Sequence, residues 1–308
     1  MKYGLLTYKY PWRKGYRPLV ANIGDYIQSI AARQFLPRVD VLVDRDAVAS
    51  YSGDSIKVIM NGWWHICKGN EKTSEAITPL YVAYHIDNPK GLTQAALEHL
   101  KKHSPIGCRD LATMNCLQEN GIEAYLSSCL TLTLGKTYHV PEKERTNTVY
   151  FVDCDLQPNW FKRCLTACCP NNEKLRRRAL QLVEEHLRGA QVERRSHLYP
   201  LWIDQNRGFQ IADQLLRDYS KAKLVITSRL HCALPVLSMG VPVFFAGKNL
   251  EDRRYAGTLD WISRIGFDRT HNLVELLACP SHIPGTQLPP PPVKDYADQL
   301  TRQCQQFV

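Results

Sequence analysis

The sequence predicts an α/β protein with two domains, each built on a mostly parallel sheet. Short apolar runs alternate with helical patterns in both halves of the chain, and this β-α-β order favours parallel strands joined by right-handed crossovers. The 308 residues exceed what one hydrophobic core usually fills. A polar segment of mixed charge at 135–147 separates the halves, so we place the linker there. The predicted units are residues 1–140, residues 147–285, and a proline-rich spacer with a terminal helix at 286–308.

In the first half, helices are predicted where apolar residues recur every three or four positions, as at Ile27, Ile30 and Ala31. Strands are predicted where short apolar or β-branched runs stand between turn residues. Asp110 is the expected N-cap of a helix that Gly121 ends. The predicted strands are Lys2–Tyr8, Val39–Asp44, Ile56–Met60, Leu80–Ile86, Pro105–Cys108 and Glu123–Leu134, and the helices are Gly24–Leu36, Gln94–His103 and the segment after Asp110.

The second half restarts the alternation after the linker. Phe209, Ala212 and Leu216 share one helical face. The predicted strands are Thr148–Val152, Val192–Leu198, Leu224–Thr227 and Val241–Ala246, and the helices are Leu175–Leu187, Phe209–Ala222, His231–Met239 and Asp295–Phe307.

Charge and hydropathy narrow the classes of partner. The net charge is +9 and the pI is about 9.0, which favours anionic partners. The dense basic run Lys174–Arg178 opens an amphipathic helix without interleaved aromatic residues, so a solvated helix face is the simpler interpretation and no nucleic-acid partner is expected. The apolar runs are shorter than the roughly 20 residues of a membrane span. We therefore expect a cytoplasmic protein whose contact with the inner face of the membrane is at most peripheral.

The 11 cysteines are odd in number, and no CxxC pair recurs at zinc-site spacing. The densest group is Cys154, Cys164, Cys168 and Cys169. Two of the four are adjacent, which disfavours a shared metal ion, and no histidine lies at zinc-finger spacing. Ordinary packing or loop thiols are the favoured interpretation, and no metal is expected.

The strongest candidate site is Thr227–His231, between an apolar strand and an apolar helix. Open α/β sheets bind ligands beyond the carboxyl ends of their strands. Arg229 and His231 are two residues apart, so in an extended turn their side chains project to the same side. A helix N-terminus favours an anion there, arginine can hold a carboxylate or phosphate, and histidine can carry a proton. The simpler alternative is that Arg229 pairs with a structural carboxylate and His231 caps the helix.

Four turns of the first half carry similar chemistry at predicted strand ends. Each is weak alone, because Gly-Asp and Asn-Gly usually mark turns, and Trp63 and Trp64 suit a core equally well. We predict a site here because all four turns are expected at strand ends of the same sheet. The turns are Asn22–Asp25, Asn61–His65, His85–Asp87 and Arg109-Asp110.

Several common motifs are missing from the sequence. No Gly-x-Gly-x-x-Gly follows a strand, and there is neither a Walker loop nor a Gly-x-Ser-x-Gly elbow. Asp44-Arg45-Asp46 and Asp153-Cys154-Asp155 have the Asp-x-Asp form of a nucleotide-sugar metal site, although strand-end turns are the favoured interpretation. A glycosyltransferase that uses a nucleotide sugar is one alternative function. The other alternative is a non-catalytic carbohydrate-binding relative. Loss of Arg229 or His231 would favour that alternative, and both residues are present.

The segment Ala222–Pro235, continued by Gly240–Val243, resembles the polysaccharide pyruvyl transferase family. Gly24–Ala32 resembles the opening block of that family, and Gly107–Asp110 and Cys129–Leu134 resemble its middle. The resemblance covers most of the chain. It implies two Rossmann-like domains in a glycosyltransferase-B-like arrangement. It also implies transfer of pyruvate from phosphoenolpyruvate onto two hydroxyls of a saccharide, as a ketal, in cell-surface polysaccharide synthesis without a metal or cofactor.

The resemblance implies roles for particular residues. Arg229 and His231 lie in the donor site, and His231 is the expected proton donor to the enol carbon, with Asp25 a candidate base for an acceptor hydroxyl. The family carries a lysine in a turn after the Gly-x-Pro strand, and either Lys248 or Arg254 takes its place here. The expected donor-binding residues are Arg109, Ser228, Leu230, Lys248 and Arg254, and those expected to bind a saccharide or lipid-linked saccharide acceptor are Asn22, Gly24, Asn61, Trp63, Trp64 and His85.

Overall fold

The computed structural model describes residues 1–9, 20–66, 72–153, 187–200, 203–246, 252–259, 261–264, 266–267, 273–274 and 292–308. These residues form two large parallel sheets with helices packed against them, so the predicted α/β class is confirmed. The division of the chain into domains at the predicted boundaries stays a prediction. Within the described residues, no helix is both long enough and apolar enough to cross a bilayer.

The first sheet has six strands in the order β3-β1-β4-β5-β6-β7, and every pairing is parallel. Its central strands are buried on both faces, as parallel sheets require. The strands of this half are β1 (Lys2–Thr7), β2 (Val20–Asn22), β3 (Val41–Asp44), β4 (Ile56–Trp64), β5 (Ile77–Ile86), β6 (Ile106–Cys108) and β7 (Ala124–Leu126), and the helices are α1 (Ile23–Arg33), α2 (Gln94–Lys102), α3 (Leu111–Glu119) and α4 (Gly135–Tyr138).

The second sheet has five strands in the order β13-β12-β11-β8-β9, again with every pairing parallel. Its strands are β8 (Thr148–Val152), β9 (Gln191–Arg195), β11 (Leu224–Thr227), β12 (Val243–Phe245) and β13 (Ser263–Arg264). The antiparallel pair β14 (Gly266–Phe267) and β15 (Leu273–Val274) follows it. The helices of this half are α5 (Gln205–Ser220), α6 (Leu230–Ser238) and the terminal α7 (Val293–Phe307).

One apolar core joins the two halves. Helix α1 places Ile23, Ile27 and Ile30 on one buried face, and it packs against α5. The ring of Tyr26 meets that of Phe209 with centroids 5.1 Å apart. A short strand β10 (Leu198–Pro200) pairs antiparallel with β2 immediately before α1. The polar ends of the two sheets are therefore held in a fixed relation to each other.

The terminal helix α7 packs against the first half of the chain. Leu300 and Cys304 are buried in the shared core, and Lys136 Nζ lies 2.9 Å from Asp298 Oδ1. The hydroxyl of Tyr3 donates to the backbone oxygen of Val308 at 3.4 Å. Helix α7 thus follows the second half in the sequence but packs against the first half of the chain.

Two strand predictions are wrong in part. The segment Glu123–Leu134 is a strand only over β7, and Leu130–Leu134 forms a 3-10 helix. The chain turns at Ser128, which has a φ of 58°. The predicted strand Val192–Leu198 is divided between β9 and β10, which belong to different sheets. The predicted helix Leu175–Leu187 lies almost wholly outside the described residues, as does the proline spacer before Pro292.

Candidate functional site

The carboxyl ends of the two sheets meet through Arg109 and His231. Arg109 follows β6 in the first sheet, and His231 is the second residue of α6 after β11 in the second sheet. Nη1 of Arg109 lies 3.2 Å from Nε2 of His231. These two residues are 122 positions apart in the sequence, so the fold brings together two strand-end segments that the sequence singles out separately.

Arg109 is held rigidly below the surface. Its backbone N–H donates to the carbonyl of Tyr84 at 2.9 Å, and the residue is only 1% exposed. Nε has no hydrogen-bond partner among the described residues, although Asp110 Oδ2 lies 4.0 Å away. Because a guanidinium only donates hydrogen bonds, this buried N–H suits an acceptor atom of an anionic ligand.

His231 is a neutral imidazole at neutral pH. Burial, and then the positive charge of Arg109, hold its pKa well below the usual range. Since Arg109 can only donate, Nε2 of His231 accepts, and the ring hydrogen is assigned to Nδ1. The ring rests on Gly24, where an added Cβ would lie 3.3 Å from Nδ1 of His231. Gly24 therefore makes room for the imidazole.

Arg229 is oriented by a carboxylate that sequence reasoning did not assign to the site. Its Nε donates to Oδ2 of Asp153 at 2.7 Å. Asp153 follows β8, adjacent in the sheet to β11, and it also accepts from Ser196 Oγ at 2.6 Å and from the backbone N–H of His197 at 2.9 Å. Burial alone would raise the pKa of Asp153, but these hydrogen bonds and the charge of Arg229 lower it overall. The pairing of Arg229 with a carboxylate, one of the two sequence alternatives, is thus observed.

Asp153 also fixes the loop that carries Arg229. The hydroxyl of Ser228 donates to the backbone oxygen of Asp153 at 2.6 Å. Leu230 begins α6 and packs against the core shared by the two halves. Ser228 and Leu230 therefore lie beside the candidate site, as the sequence predicted for donor-binding residues, although their roles stay predictions.

Asp25 lies in the first turn of α1, buried beside Arg45. Arg45 Nη1 is 3.7 Å from Asp25 Oδ2, and Gln28 Nε2 donates to Asp25 Oδ1 at 3.3 Å. The guanidinium of Arg45 also lies over the rings of Tyr8 and Trp63, at 4.8 and 5.4 Å from their centroids. The predicted base is therefore an ion-paired carboxylate inside a cluster of aromatic side chains.

The other polar residues predicted at the first sheet line the same end of the strands. Asn22 caps α1, because its Oδ1 accepts from the N–H of Gly24 at 3.1 Å. Asn61 is buried, and its Nδ2 donates to the carbonyl of Gln28 at 2.9 Å, whereas its Oδ1 lacks a partner within the described parts of the chain. Asn61 thus keeps an acceptor oxygen for a ligand.

His85 and Asp110 form a buried pair. His85 Nδ1 lies 2.6 Å from Asp110 Oδ2. Oδ1 of Asp110 accepts from the N–H of Thr113 at 2.9 Å, which confirms Asp110 as the N-cap of α3. Burial, and then Arg109, lower the pKa of His85. Burial would raise the pKa of Asp110, but the hydrogen bond and charge of His85 lower it overall.

The two tryptophans predicted to contact an acceptor have different surroundings. Trp63 is half-buried and stacks on the ring of His65 with centroids 5.9 Å apart. Trp64 is 2% exposed and packs in the core on the opposite face of the first sheet, next to Tyr84. Trp64 is thus observed as a core side chain, and its role as an acceptor contact stays a prediction.

Of the two cations proposed to replace the family lysine, the structure describes Arg254. Arg254 is held by Asp252, with its Nε and Nη2 donating to the two carboxylate oxygens at 2.9 and 2.8 Å. Its charge acts on Arg109 and His231, so it lies near the candidate site. Lys248 lies outside the described residues.

The Asp-x-Asp segments and the cysteine group were the sequence candidates for a metal. Asp44 Oδ1 accepts from the N–H of Asp46 at 3.2 Å, which confirms a strand-end turn there. Asp155 lies outside the described residues, and so does the cysteine group from Cys154 to Cys169. Across the described ranges, no group of three or more His, Cys, Asp or Glu side chains could hold a metal ion.

Sequence reasoning missed four side chains around the site: Arg45, Asp110 as a partner of His85, Asp153 as a partner of Arg229, and His197. His197 is fully buried, and its Nε2 lies 3.2 Å from the hydroxyl of Tyr219. A positional signal existed for Asp153, since it follows a buried strand at the edge where ligands bind. No comparable signal marks His197, because it stands in a break between two short strands.

Of the comparisons with known proteins, the match to a family model agrees with the resemblance. The family model described as polysaccharide pyruvyl transferase matches residues 22–247. Among solved structures, the chain is similar to that of an uncharacterized protein from Klebsiella pneumoniae subsp. pneumoniae. That match has 13% sequence identity and a TM-score of 0.44, and it covers 84% of this chain and 89% of the other. No match was found among curated proteins.

Proposed function

We propose a pyruvyl transfer reaction for this chain, because it belongs to the polysaccharide pyruvyl transferase family. The donor is phosphoenolpyruvate, and the acceptor is a saccharide, free or lipid-linked, in cell-surface polysaccharide synthesis. The product is a cyclic ketal formed through two hydroxyls of the acceptor. The two parallel sheets are proposed to belong to Rossmann-like domains in a glycosyltransferase-B-like arrangement, with the donor held mainly by the second half of the chain.

The observation that carries this proposal is the contact of 3.2 Å between Arg109 Nη1 and His231 Nε2 at the facing ends of the two sheets. Arg109 is a buried cation with an unused N–H within the described residues, and Arg229 adds a second cation beside the N-terminus of α6. Phosphoenolpyruvate carries a phosphate and a carboxylate, and two guanidinium groups hold such a pair by charge-assisted hydrogen bonds. The backbone N–H groups of α6 favour the same charge.

The low pKa of His231 in the free protein is compatible with a role as acid only after the donor binds. A bound trianion favours the imidazolium. Arg109 Nη1 then donates to the anion instead of to Nε2 of His231, and that nitrogen takes up a proton together with phosphoenolpyruvate. The imidazolium then gives that proton to the terminal CH₂ carbon of the enol, and the neighbouring carbon becomes electrophilic. Arg109 and Arg229 stabilise the negative charge of the donor throughout.

Two acceptor hydroxyls complete the ketal. The first oxygen bonds to the electrophilic carbon and loses its proton. The bond from that carbon to the phosphate oxygen then breaks, phosphate leaves with the electron pair, and the second hydroxyl oxygen bonds in its place. The proton of the second hydroxyl leaves with the phosphate. The atom balance needs no cofactor, because the donor carries its own leaving group.

The acceptor is proposed to lie against the first sheet, near Asn61, His85 and Trp63. Amide and imidazole acceptors receive hydroxyl hydrogens, and the half-buried ring of Trp63 adds an aromatic contact for a sugar ring. A lipid-linked acceptor would bring the protein to the inner face of the membrane, where its net charge of +9 attracts anionic headgroups. Such association should be reversed by a high-salt wash, and retention of the washed protein on the membrane would count against it.

Ligand-induced stabilisation tests the donor. Phosphoenolpyruvate should raise the melting temperature. At a hundredfold excess over its Kd, binding adds about 2.7 kcal/mol to the free energy of unfolding. Nucleotide sugars should have a smaller effect. Arg109→Ala should abolish the response to phosphoenolpyruvate, whereas the control Arg38→Ala, at an exposed arginine paired with Asp40, should retain it. Stabilisation by a nucleotide sugar but not by phosphoenolpyruvate would replace this proposal with the glycosyltransferase alternative.

A further inference from the structure

The pair formed by His85 and Asp110 has a hydrogen-bonding geometry that packing does not explain. Both side chains are fully buried, and Nδ1 of His85 lies 2.6 Å from Oδ2 of Asp110. Nε2 of His85 has no hydrogen-bond partner anywhere in the described residues. A buried polar atom without a partner is costly, so an atom of this kind at the ligand-binding edge of a sheet indicates a functional role.

Two strands and a helix fix the pair. His85 is the penultimate residue of β5, and Asp110 caps α3 directly after β6. Because Oδ1 of Asp110 accepts from the N–H of Thr113, its Oδ2 is aimed at His85. The carboxylate therefore fixes the ring hydrogen on Nδ1 and leaves Nε2 with its lone pair available.

The pair is connected to the donor site. Arg109 Nε lies 4.0 Å from Asp110 Oδ2, and Arg109 Nη1 lies 3.2 Å from His231. The charged groups that face His85 are Arg109, Asp110 and Asp87 from its own sheet, and His231 and Asp252 from the second half of the chain. His85 therefore lies at the end of the first sheet, beside the donor site and close to where the acceptor is proposed to bind.

We propose that His85 is the general base that removes the proton of the first acceptor hydroxyl, and that Asp110 is its positioning residue. The inference rests on the proposed pyruvyl transfer. Asp25, the base expected from the sequence, is less suited to this role because the charge of Arg45 at 3.7 Å and the amide of Gln28 at 3.3 Å already engage both of its oxygens.

The step balances with the proposed reaction. As the hydroxyl oxygen bonds to the electrophilic carbon, its O–H bond breaks and the proton passes to Nε2 of His85. His85 becomes an imidazolium whose charge Asp110 stabilises. Solvent removes this proton after product release, and one proton per turnover is taken up by His231 for delivery to the enol carbon. The two histidines thus have opposite roles in one cycle.

The charge state of the pair agrees with this assignment. Burial and Arg109 lower the pKa of His85, so at neutral pH it is a free base. As the pH falls through the pKa of His85, the base is protonated, and kcat at saturating phosphoenolpyruvate should fall. This acid limb of the pH profile is specific to a base and would not arise from a purely structural pair.

The test uses the intact protein, phosphoenolpyruvate, and the methyl gluco-, galacto- and mannopyranosides as acceptor probes. His85→Gln removes the base, and Asp110→Asn keeps a helix cap but favours the wrong tautomer of His85. His99→Gln is the control, because His99 is a half-buried histidine near the same sheet whose Nε2 lies 2.9 Å from the hydroxyl of Tyr81.

His85→Gln should lower kcat by about 100-fold or more, leave the affinity for phosphoenolpyruvate within about twofold of wild type, and remove the acid limb of kcat at saturating phosphoenolpyruvate. A probe whose hydroxyl is acidified by a neighbouring fluorine should recover part of the loss. The control should keep wild-type kcat and the acid limb. If His85→Gln does not fold, Asp110→Asn carries the test: kcat should fall, donor affinity should stay near wild type, and the acid limb should move to lower pH, because the carboxylate that favours the imidazolium of His85 is lost.

Normal turnover in a folded His85→Gln or Asp110→Asn protein, or a wild-type acid limb in His85→Gln, would overturn the inference while leaving the pyruvyl transfer intact. Absence of phosphate release by the wild-type protein with all three probes would instead contradict the proposed function, and the inference with it.

Discussion

The guanidinium of Arg109 and the imidazole of His231 meet at 3.2 Å between Nη1 and Nε2, although they belong to different sheets. The contact specifies which nitrogen of His231 accepts, and it places a positive charge against the ring. His231 is therefore neutral before a ligand arrives. In the proposed mechanism an anion that occupies the site favours the imidazolium, so that donor binding and proton uptake are coupled.

The charge state of His231 can be measured directly. Imidazole nitrogen-15 shifts should show Nε2 without hydrogen at neutral pH, because burial and Arg109 disfavour the imidazolium. Arg109→Met should raise the pKa of His231. Arg254→Met should raise it less, since the charge of Arg254 acts more weakly on the ring. Equal effects of the two substitutions would contradict the specific contact.

Gly24→Ala should impair turnover without unfolding the protein. The new Cβ would lie 3.3 Å from both Cβ and Nδ1 of His231, so the ring must shift. Alanine is otherwise favourable in a helix. We expect turnover to fall about tenfold, or about 1.4 kcal/mol in the barrier, with an unchanged or higher melting temperature.

Gly208→Ala is the contrasting control, because its Cβ would enter the ring of Tyr26. It should lower the free energy of unfolding by about 1–3 kcal/mol through overpacking. A Gly24→Ala protein with wild-type turnover would show that His231 tolerates displacement.

Asp153→Ala should lower the free energy of unfolding by about 2 kcal/mol, because three hydrogen bonds are lost. Asp153→Asn should cost less, since asparagine tolerates the φ of 50° at this position. Urea denaturation measures both. Asp252→Ala, which breaks a more exposed pair with Arg254, should cost no more than about 1 kcal/mol. Equal losses at the two aspartates would argue against Asp153 as the anchor of its loop.

His197 should make stability depend on pH. Burial lowers its pKa to about 4, whereas the unfolded chain protonates near the ordinary value of about 6.5. The contribution is complete above pH 6.5 and is lost as the pH falls towards 4, by about 3 kcal/mol at most. His197→Gln should flatten the free energy of unfolding over this range relative to wild type. The control His65→Gln, at a partly exposed histidine, should keep the wild-type slope, and an unaltered slope in His197→Gln would contradict a buried neutral ring.

The sequence predicts those parts of the site that depend on local order. A fully apolar strand, a polar turn and an apolar helix lie within Leu224–Ser238, so the position of His231 at a strand end follows from the chain itself. The same holds for Asp110, whose type and place before an apolar run predict a helix cap. The structure confirms both positions.

The sequence does not predict the pairings that depend on sheet order. Asp153 meets Arg229 because Val152 of β8 is paired with Thr227 of β11. Neither sequence segment indicates that these two strands are neighbours. In Leu130–Leu134, the alternation of leucine and threonine is typical of a half-buried strand. All five side chains are buried in the structure, so the alternation does not mark a solvent-exposed face. The turn at Ser128 ends the extended segment before the 3-10 helix begins.

The most direct test of the account is simultaneous measurement of phosphate release and ketal formation from phosphoenolpyruvate and a methyl hexopyranoside panel. Wild-type protein should form phosphate and ketal in equal amounts. His231→Gln should turn over about 100-fold or more slowly with near-normal donor affinity, whereas Arg229→Ala should lose donor affinity as well as turnover. A folded His231→Gln protein that releases phosphate at the wild-type rate, or a wild-type protein that forms no ketal, would contradict the account.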